Sequence, residues 1–311
     1  MAFQNVLPDP NNTIGDTGKA TVGGAGPGYK SVSVTSKQAV MNERTNSGRL
    51  ITRIASGHSW EVSIAYNPLT RAEFEPLNSF LLHKKGGLLP FFVSLPQNKV
   101  SQSIAFAKTV RPTTEAVGGV DGLGKEPLAT HVPQSGGTFI VGQQYKITDV
   151  TGGTNWSSVG GSTSASVGQL FVATAAGTSA LTSAEPTYTK SGADSILMSF
   201  DDYDLSDGHG APKPGDFFTV DDDSDSNHTK MYQVVRTETR ASYNDQPPLH
   251  DTDDTTRLYI FPPLQRNLYD GAKLVFHNPL MRVIINDSTQ KYSLNNKNLY
   301  QISLKLQEAQ K

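Results

Sequence analysis

The chain has 311 residues, a formal net charge of −2, 36% hydrophobic and 18% charged residues, 28 glycines, 18 prolines and no cysteine. That length can bury a sizeable core in about two domains, and the near-neutral balance leaves no global basic footprint for nucleic acid or acidic membranes. The lack of cysteine excludes disulfides and thiolate sites, and low charge with many glycines points to a turn-rich β protein rather than a helical enzyme. No apolar run reaches the ~20 residues of a membrane helix, and Met1–Val6 shows neither part of a secretory signal, so neither membrane insertion nor export by its own signal is expected.

Residues 1–28, with Pro8, Pro10 and the glycines at 23, 24, 26 and 28, read as an extended arm. The glycines do not make a phosphate cradle. Tyr29 intervenes before Lys30-Ser31, and a strand, not a helix N-terminus, is predicted next. Tyr29–Thr35 is predicted as that strand, and 38–48 as a connection. Two alternating runs follow: Leu50, Thr52 and Ile54, then Trp60, Val62, Ile64 and Tyr66, predicted as a hairpin joined by Ser56-Gly57-His58.

At Asn67-Pro68 the period changes. Thr70 and Glu73 form a capping-box pattern that opens a helix carrying Phe74, Leu77, Phe80 and Leu81 at helical spacing, and Gly86-Gly87 stops it. Pro76, too deep for the first turn, predicts a kink or a helix split in two. Phe91–Leu95, framed by prolines, returns to strand. The expected fold-defining side chains are thus Trp60, Tyr66, Phe74, Leu77, Phe80 and Leu81.

Val100–Val110 alternates weakly through Ile104 and Phe106, and residues 112–137 read as a linker. Residues 138–190 form a small inserted β module whose core must come from Tyr145, Ile147, Trp156 and Phe171. The main domain is predicted to resume at Ser191, so that 29–111 and 191–311 make one discontinuous domain. Its later strands are expected at 196–200, 215–220, 231–235, 257–261, 274–276, 281–285 and 299–306. The fold class is therefore mostly β, an antiparallel sandwich or barrel with one short flanking helix and a small inserted all-β module.

Asp221, Asp223 and Asp225 have the opening spacing of a calcium loop. Ser226 stands where glycine is required, Tyr232 where the closing glutamate belongs, and the predicted flanks are strands. This loop, like Asp251, Asp253 and Asp254 beside His250, reads as a solvated turn, with a looser oxygen-ligand cation site as the alternative. There is no Gly-x-Ser-x-Gly elbow and no His-Glu-x-x-His helix, and the seven histidines are scattered. No catalytic, metal or cofactor residue is therefore expected. Trp156, in a Gly-Gly-Thr-Asn turn, is a candidate exposed stacking surface.

Gly57, Trp60, Tyr66, Leu69-Thr70, Phe74, Phe80-Leu81, Gly86 and Phe91–Pro96 together resemble a pattern of tailed-bacteriophage tail-tip and baseplate proteins, distal tail proteins among them. Gly271, Leu274-Val275-Phe276, Asn278-Pro279, Arg282-Val283 and the close on Leu306-Gln307-Glu308-Ala309 fit the same pattern. The inserted module is similar to one met in phage tail and fibre proteins, through Gly142, Tyr145, Ile147, Gly153-Thr154-Asn155-Trp156, Gly160, Gly168, Phe171 and Ala173. The resemblance implies a tail-tube-like β domain in a virion tail, assembled in the host cytoplasm. It implies a hexameric ring of this chain that joins the tail tube protein to other tail-tip proteins and leaves a channel for passing DNA. In such a ring Asp221, Asp222, Asp223 and Asp225, or Asp251, Asp253 and Asp254, are expected to face the lumen, since bound phosphates need basic partners. The alternative is a carbohydrate-binding host-surface adhesin in which Tyr145 and Trp156 contact the glycan.

Overall fold

The computed structural model describes residues 6–10, 12–14, 20–22, 26–117, 119–130, 139, 141–150, 156–177, 184–200, 209–239, 256–287 and 291–310. The fold is mostly β, as the alternation predicts. It divides differently from the expected single discontinuous domain: one compact unit holds residues 1–97 and 280–311, the other residues 98–279.

In the first unit, strands Tyr29–Arg44 and Leu50–Tyr66 pair antiparallel along almost their whole length. Tyr300–Glu308 joins the second of them, Leu280–Ile285 joins that, and Phe91–Ser94 closes the order. The expected turn at Ser56-Gly57-His58 is instead a bulge inside one continuous strand. Gly57 takes φ +117°, which kinks the strand without reversing it, and the pairing slips between Gln38 and Val40. The reversal lies at 45–49, at the end of the expected connection. There Gly48 has φ +80° and the Thr45 hydroxyl accepts the Arg49 amide at 3.1 Å.

The inward residues Trp60, Val62, Ile64 and Tyr66 are buried with Leu304 and Leu306. The Arg71–His83 helix (α1) covers the sheet with Phe74, Leu77, Phe80 and Leu81, and Phe74 stacks on Tyr300 at 4.2 Å. Its capping box forms as predicted, the Glu73 carboxylate accepting the Thr70 amide at 2.8 Å. Pro76 does not split it: one helix runs through, with the proline on its exposed side. The N-terminal stretch is not wholly a free arm either. Val6 and Leu7 are buried, the Leu7 amide donates to the Phe92 carbonyl at 2.7 Å, and the Tyr66 hydroxyl donates to the Pro8 carbonyl at 3.2 Å. Burial beside Asp9 pushes the Tyr66 and Tyr29 hydroxyl pKa values up.

The second unit is built on a closed six-stranded barrel. Around it run Ser195–Phe200, Thr256–Phe261, Met231–Thr239, Phe217–Asp221, Lys273–Val275 and Pro127–Thr130. The last of these lies inside the expected linker. Its inward residues are Pro127 and Ala129, too small to signal a strand, yet Ala129 is fully enclosed. The weak alternation at 100–110 is a helix, Ile104–Val110 (α2), which lends Phe106 to the barrel core 5.0 Å from Phe276. Its entry is held by a residue distant in sequence: the Asp216 carboxylate accepts the Gln102 amide at 3.0 Å and the Ser101 hydroxyl.

Replacing Pro76 by alanine restores a donor to the Ala72 carbonyl on an exposed helix face. Urea unfolding of Pro76→Ala is expected to show a gain of roughly 1–3 kcal/mol. A loss would mean that the proline shapes the packing of α1 on the sheet.

Candidate functional site

Three places bear on function, two of them singled out by the sequence. The inserted module has its own small core: Phe139, Tyr145, Ile147, Trp156, Val159 and Phe171, around a three-stranded sheet of Leu170–Val172, Gln144–Ile147 and Ala184–Pro186. Tyr145 is fully buried and Trp156 only 4% exposed, its ring 5.5 Å from Phe171. These two therefore do not form a stacking surface, and the glycan contact expected of them is corrected. After Trp156, Gly160 at φ +100° brings the chain against the Val172 carbonyl, where a Cβ would sit 2.3 Å from the oxygen.

The acidic loop between Phe217–Asp221 and Met231–Thr239 is only partly a solvated tip. Asp222 is buried and accepts the Ser224 amide at 2.8 Å and the Tyr269 amide at 3.2 Å. Asp225 accepts the Asn227 amide and pairs with Arg266, which holds its pKa below the usual carboxylate range. Only Asp221 and Asp223 are exposed. Lumen-facing carboxylates are thus corrected for Asp222 and Asp225, whose oxygens close the loop on itself and on residues 266–269. Asp251, Asp253 and Asp254 lie outside the described residues.

The same loop buries His228, a residue with no motif around it. Its Nε2 lies 2.8 Å from the Tyr232 hydroxyl, which also accepts the Gln265 amide at 3.0 Å. Burial outweighs the attraction of Asp222 and Asp225, and Arg266 opposes protonation too, so the imidazole pKa falls to about 4. The arrangement is a latch between two barrel connections, with the histidine held neutral. Among the described residues, no group of three or more His, Asp or Glu side chains is placed to hold a metal ion.

The third place includes residues 40–44, which fall within the expected connection. The third strand pairs with Leu50–Tyr66 only from Glu61 to Ala65. Beyond Gln38 and His58 the two long strands run on with no further strand beside them among the described residues, to the turn at 45–49, about 20 Å at ~3.3 Å per residue. Along this ribbon Val40 is 45%, Met41 64%, Leu50 56% and Ile51 51% exposed. A two-stranded ribbon alone is marginal in water, and exposed large apolar side chains grouped at its end make it a candidate interaction surface. The outer edge of Tyr29–Arg44, sixteen residues long, is likewise unpaired among the described residues. No regular period runs through 38–44, which is why only the cross-strand register makes the ribbon visible.

No protein-family model matches the chain, and no curated protein matches it.

Trp156→Ala removes the centre of the module core and is expected to cost roughly 3–5 kcal/mol, seen as lost amide protection over residues 142–173 in hydrogen exchange. A module that kept its protection would return Trp156 to the surface. His228 has a folded pKa below its unfolded one. Its contribution is therefore complete above pH ~6.5, falls as the pH drops towards 4, and is flat below. The total loss is on the order of 3 kcal/mol. Urea midpoints across that window should slope in the wild type and lose much of the slope in His228→Gln.

Proposed function

We propose that this chain is a structural subunit of a bacteriophage tail tip or baseplate, and not an enzyme. In this reading copies of the chain form a hexameric ring between the tail tube and the distal host-recognition parts, with a channel through which DNA passes. The observation that carries it is the open sheet of the first unit. A sixteen-residue strand ends the sheet with an unpaired edge and continues into an apolar-tipped ribbon, an arrangement suited to pairing with neighbouring copies. The motifs at 57–96 and 271–309 supply the phage-tail resemblance, and the open edge supplies the means of assembly.

The opposite edge, Phe91–Ser94, is short and bridged by Val6, so the two edges differ and a contact between them is heterologous. A heterologous contact whose rotation closes gives a ring. Asp221 and Asp223, the exposed carboxylates of the barrel loop, are the ones left to face a channel, where they would repel phosphate.

Sedimentation of the purified full chain tests the reading. A mass of six chains or a multiple of six, or addition of rings to tail-tube ends, is expected. A chain that stays monomeric at every concentration and adds to no tube would overturn it.

A further inference from the structure

Past the Gly57 bulge the ribbon has a regular register: Val40 opposite Ile54, Met41 opposite Arg53, Asn42 opposite Thr52, Glu43 opposite Ile51, and Arg44 opposite Leu50. Cross-strand partners share a face, and so do residues two apart along one strand. One face therefore presents Met41, Glu43, Ile51 and Arg53, all exposed. The other presents Val40, Asn42, Arg44, Leu50 and Thr52, with Arg44 its one charge among the described side chains. Among the described residues neither Glu43 nor Arg53 is ion-paired within the chain.

The first face is a two-by-two checkerboard. Met41 and Ile51 occupy one diagonal, Glu43 and Arg53 the other. A second copy of this face can be laid on it about four in-plane two-fold axes. Axes along or across the strands set Met41 against a charge. The axis along the charged diagonal sets Glu43 on Glu43 and Arg53 on Arg53. The axis along the Met41–Ile51 diagonal alone sets Met41 on Met41, Ile51 on Ile51, and each Glu43 opposite an Arg53. With ~3.4 Å per residue along a strand and ~5 Å between opposite side chains, the ribbons cross at roughly 70°. The residual offset of the charged pairs is within reach of the Glu and Arg side chains.

The geometry points to a two-fold contact between two copies of this chain, made by the Met41, Glu43, Ile51 and Arg53 face of the ribbon. The pattern is self-complementary in charge and in apolar area, as an isologous interface requires. The opposite face has no carboxylate to answer Arg44 and lacks this property. The inference rests on the assembly role proposed above and deepens it. Ring closure uses the sheet edges, and the ribbon contact then pairs copies from two rings.

Charge exchange on the full-length chain tests the contact. Glu43→Arg and Arg53→Glu each place like charges face to face and should each weaken pairing roughly ten-fold or more in sedimentation equilibrium. Mixing the two variants, or combining both substitutions in one chain, restores opposite charges and should restore pairing to the wild-type level. These side chains are exposed, so folding is not at stake. The chain has no cysteine of its own, so a single introduced thiol reports contact cleanly. Facing sheets lie ~10 Å apart, so a short bis-maleimide is the suitable linker. Met41→Cys should cross-link in pairs, whereas Asn42→Cys on the opposite face should not. Single charge variants that pair like wild type, a mixture that fails to recover, or equal cross-linking at 41 and 42 would each overturn the inference. If six-chain rings persist while none of the ribbon effects appears, the contact is refuted and the ring reading stands. If the ribbon effects appear but no assembly larger than a pair forms, the contact stands and the ring reading falls.

Discussion

The antiparallel pairing of Tyr29–Arg44 with Leu50–Tyr66 sets almost every other contact in the first unit. Its register turns Trp60, Val62, Ile64 and Tyr66 to one side, where all four are buried. A slip of one residue would send that whole set to solvent, so burial and register enforce each other. The Trp60 amide, donating to the buried Glu308 carboxylate at 3.2 Å, ties the two strands at the point where the third strand ends. Beyond it, among the described residues, the ribbon is held by its own pairing, and Val40, Met41, Leu50 and Ile51 are exposed.

The second unit solves the edge problem the other way. Six strands close on themselves, so no strand of the barrel offers a free edge, and its specificity lies in buried polar links. Asp216 anchors the start of α2, Asp222 binds the chain at Tyr269, and His228 with Tyr232 joins two connections. Each is a polar group removed from water and answered by a hydrogen-bond partner, the condition under which burial is tolerated. An open sheet in one unit and a closed one in the other divide the chain into a part suited to assembly and a part suited to holding its own shape.

Much of the local structure was legible. The Thr70–Glu73 box, the apolar stripe of α1 and the alternation at 196–200, 281–285 and 300–306 each depend on neighbours within a few residues, and each formed where predicted. The core of the inserted module was legible too, because so few large apolar residues are available to fill it. Pro127–Thr130 was not, since a strand of small residues gains its stability from the two strands beside it. Nor was α2, whose entry is held by Asp216, more than a hundred positions away. Gly57 misled for a related reason: a positive φ serves a turn and a bulge equally, and only the pairing partner decides between them.

The sequence by itself determined the class of protein, a cysteine-free, near-neutral, turn-rich β chain, because composition and short-range period depend on nothing beyond the chain's immediate neighbours. Tertiary structure alone decided which polar and apolar residues face solvent. It buried Tyr145, Trp156, Asp222 and His228, and it left Met41, Leu50 and Ile51 outside. Side-chain type records a preference for water or for the interior, whereas exposure depends on which strand ends up alongside. The fold-defining side chains from Trp60 to Leu81 marked a core, and only the length of the strand pairing showed that the sheet extends past it.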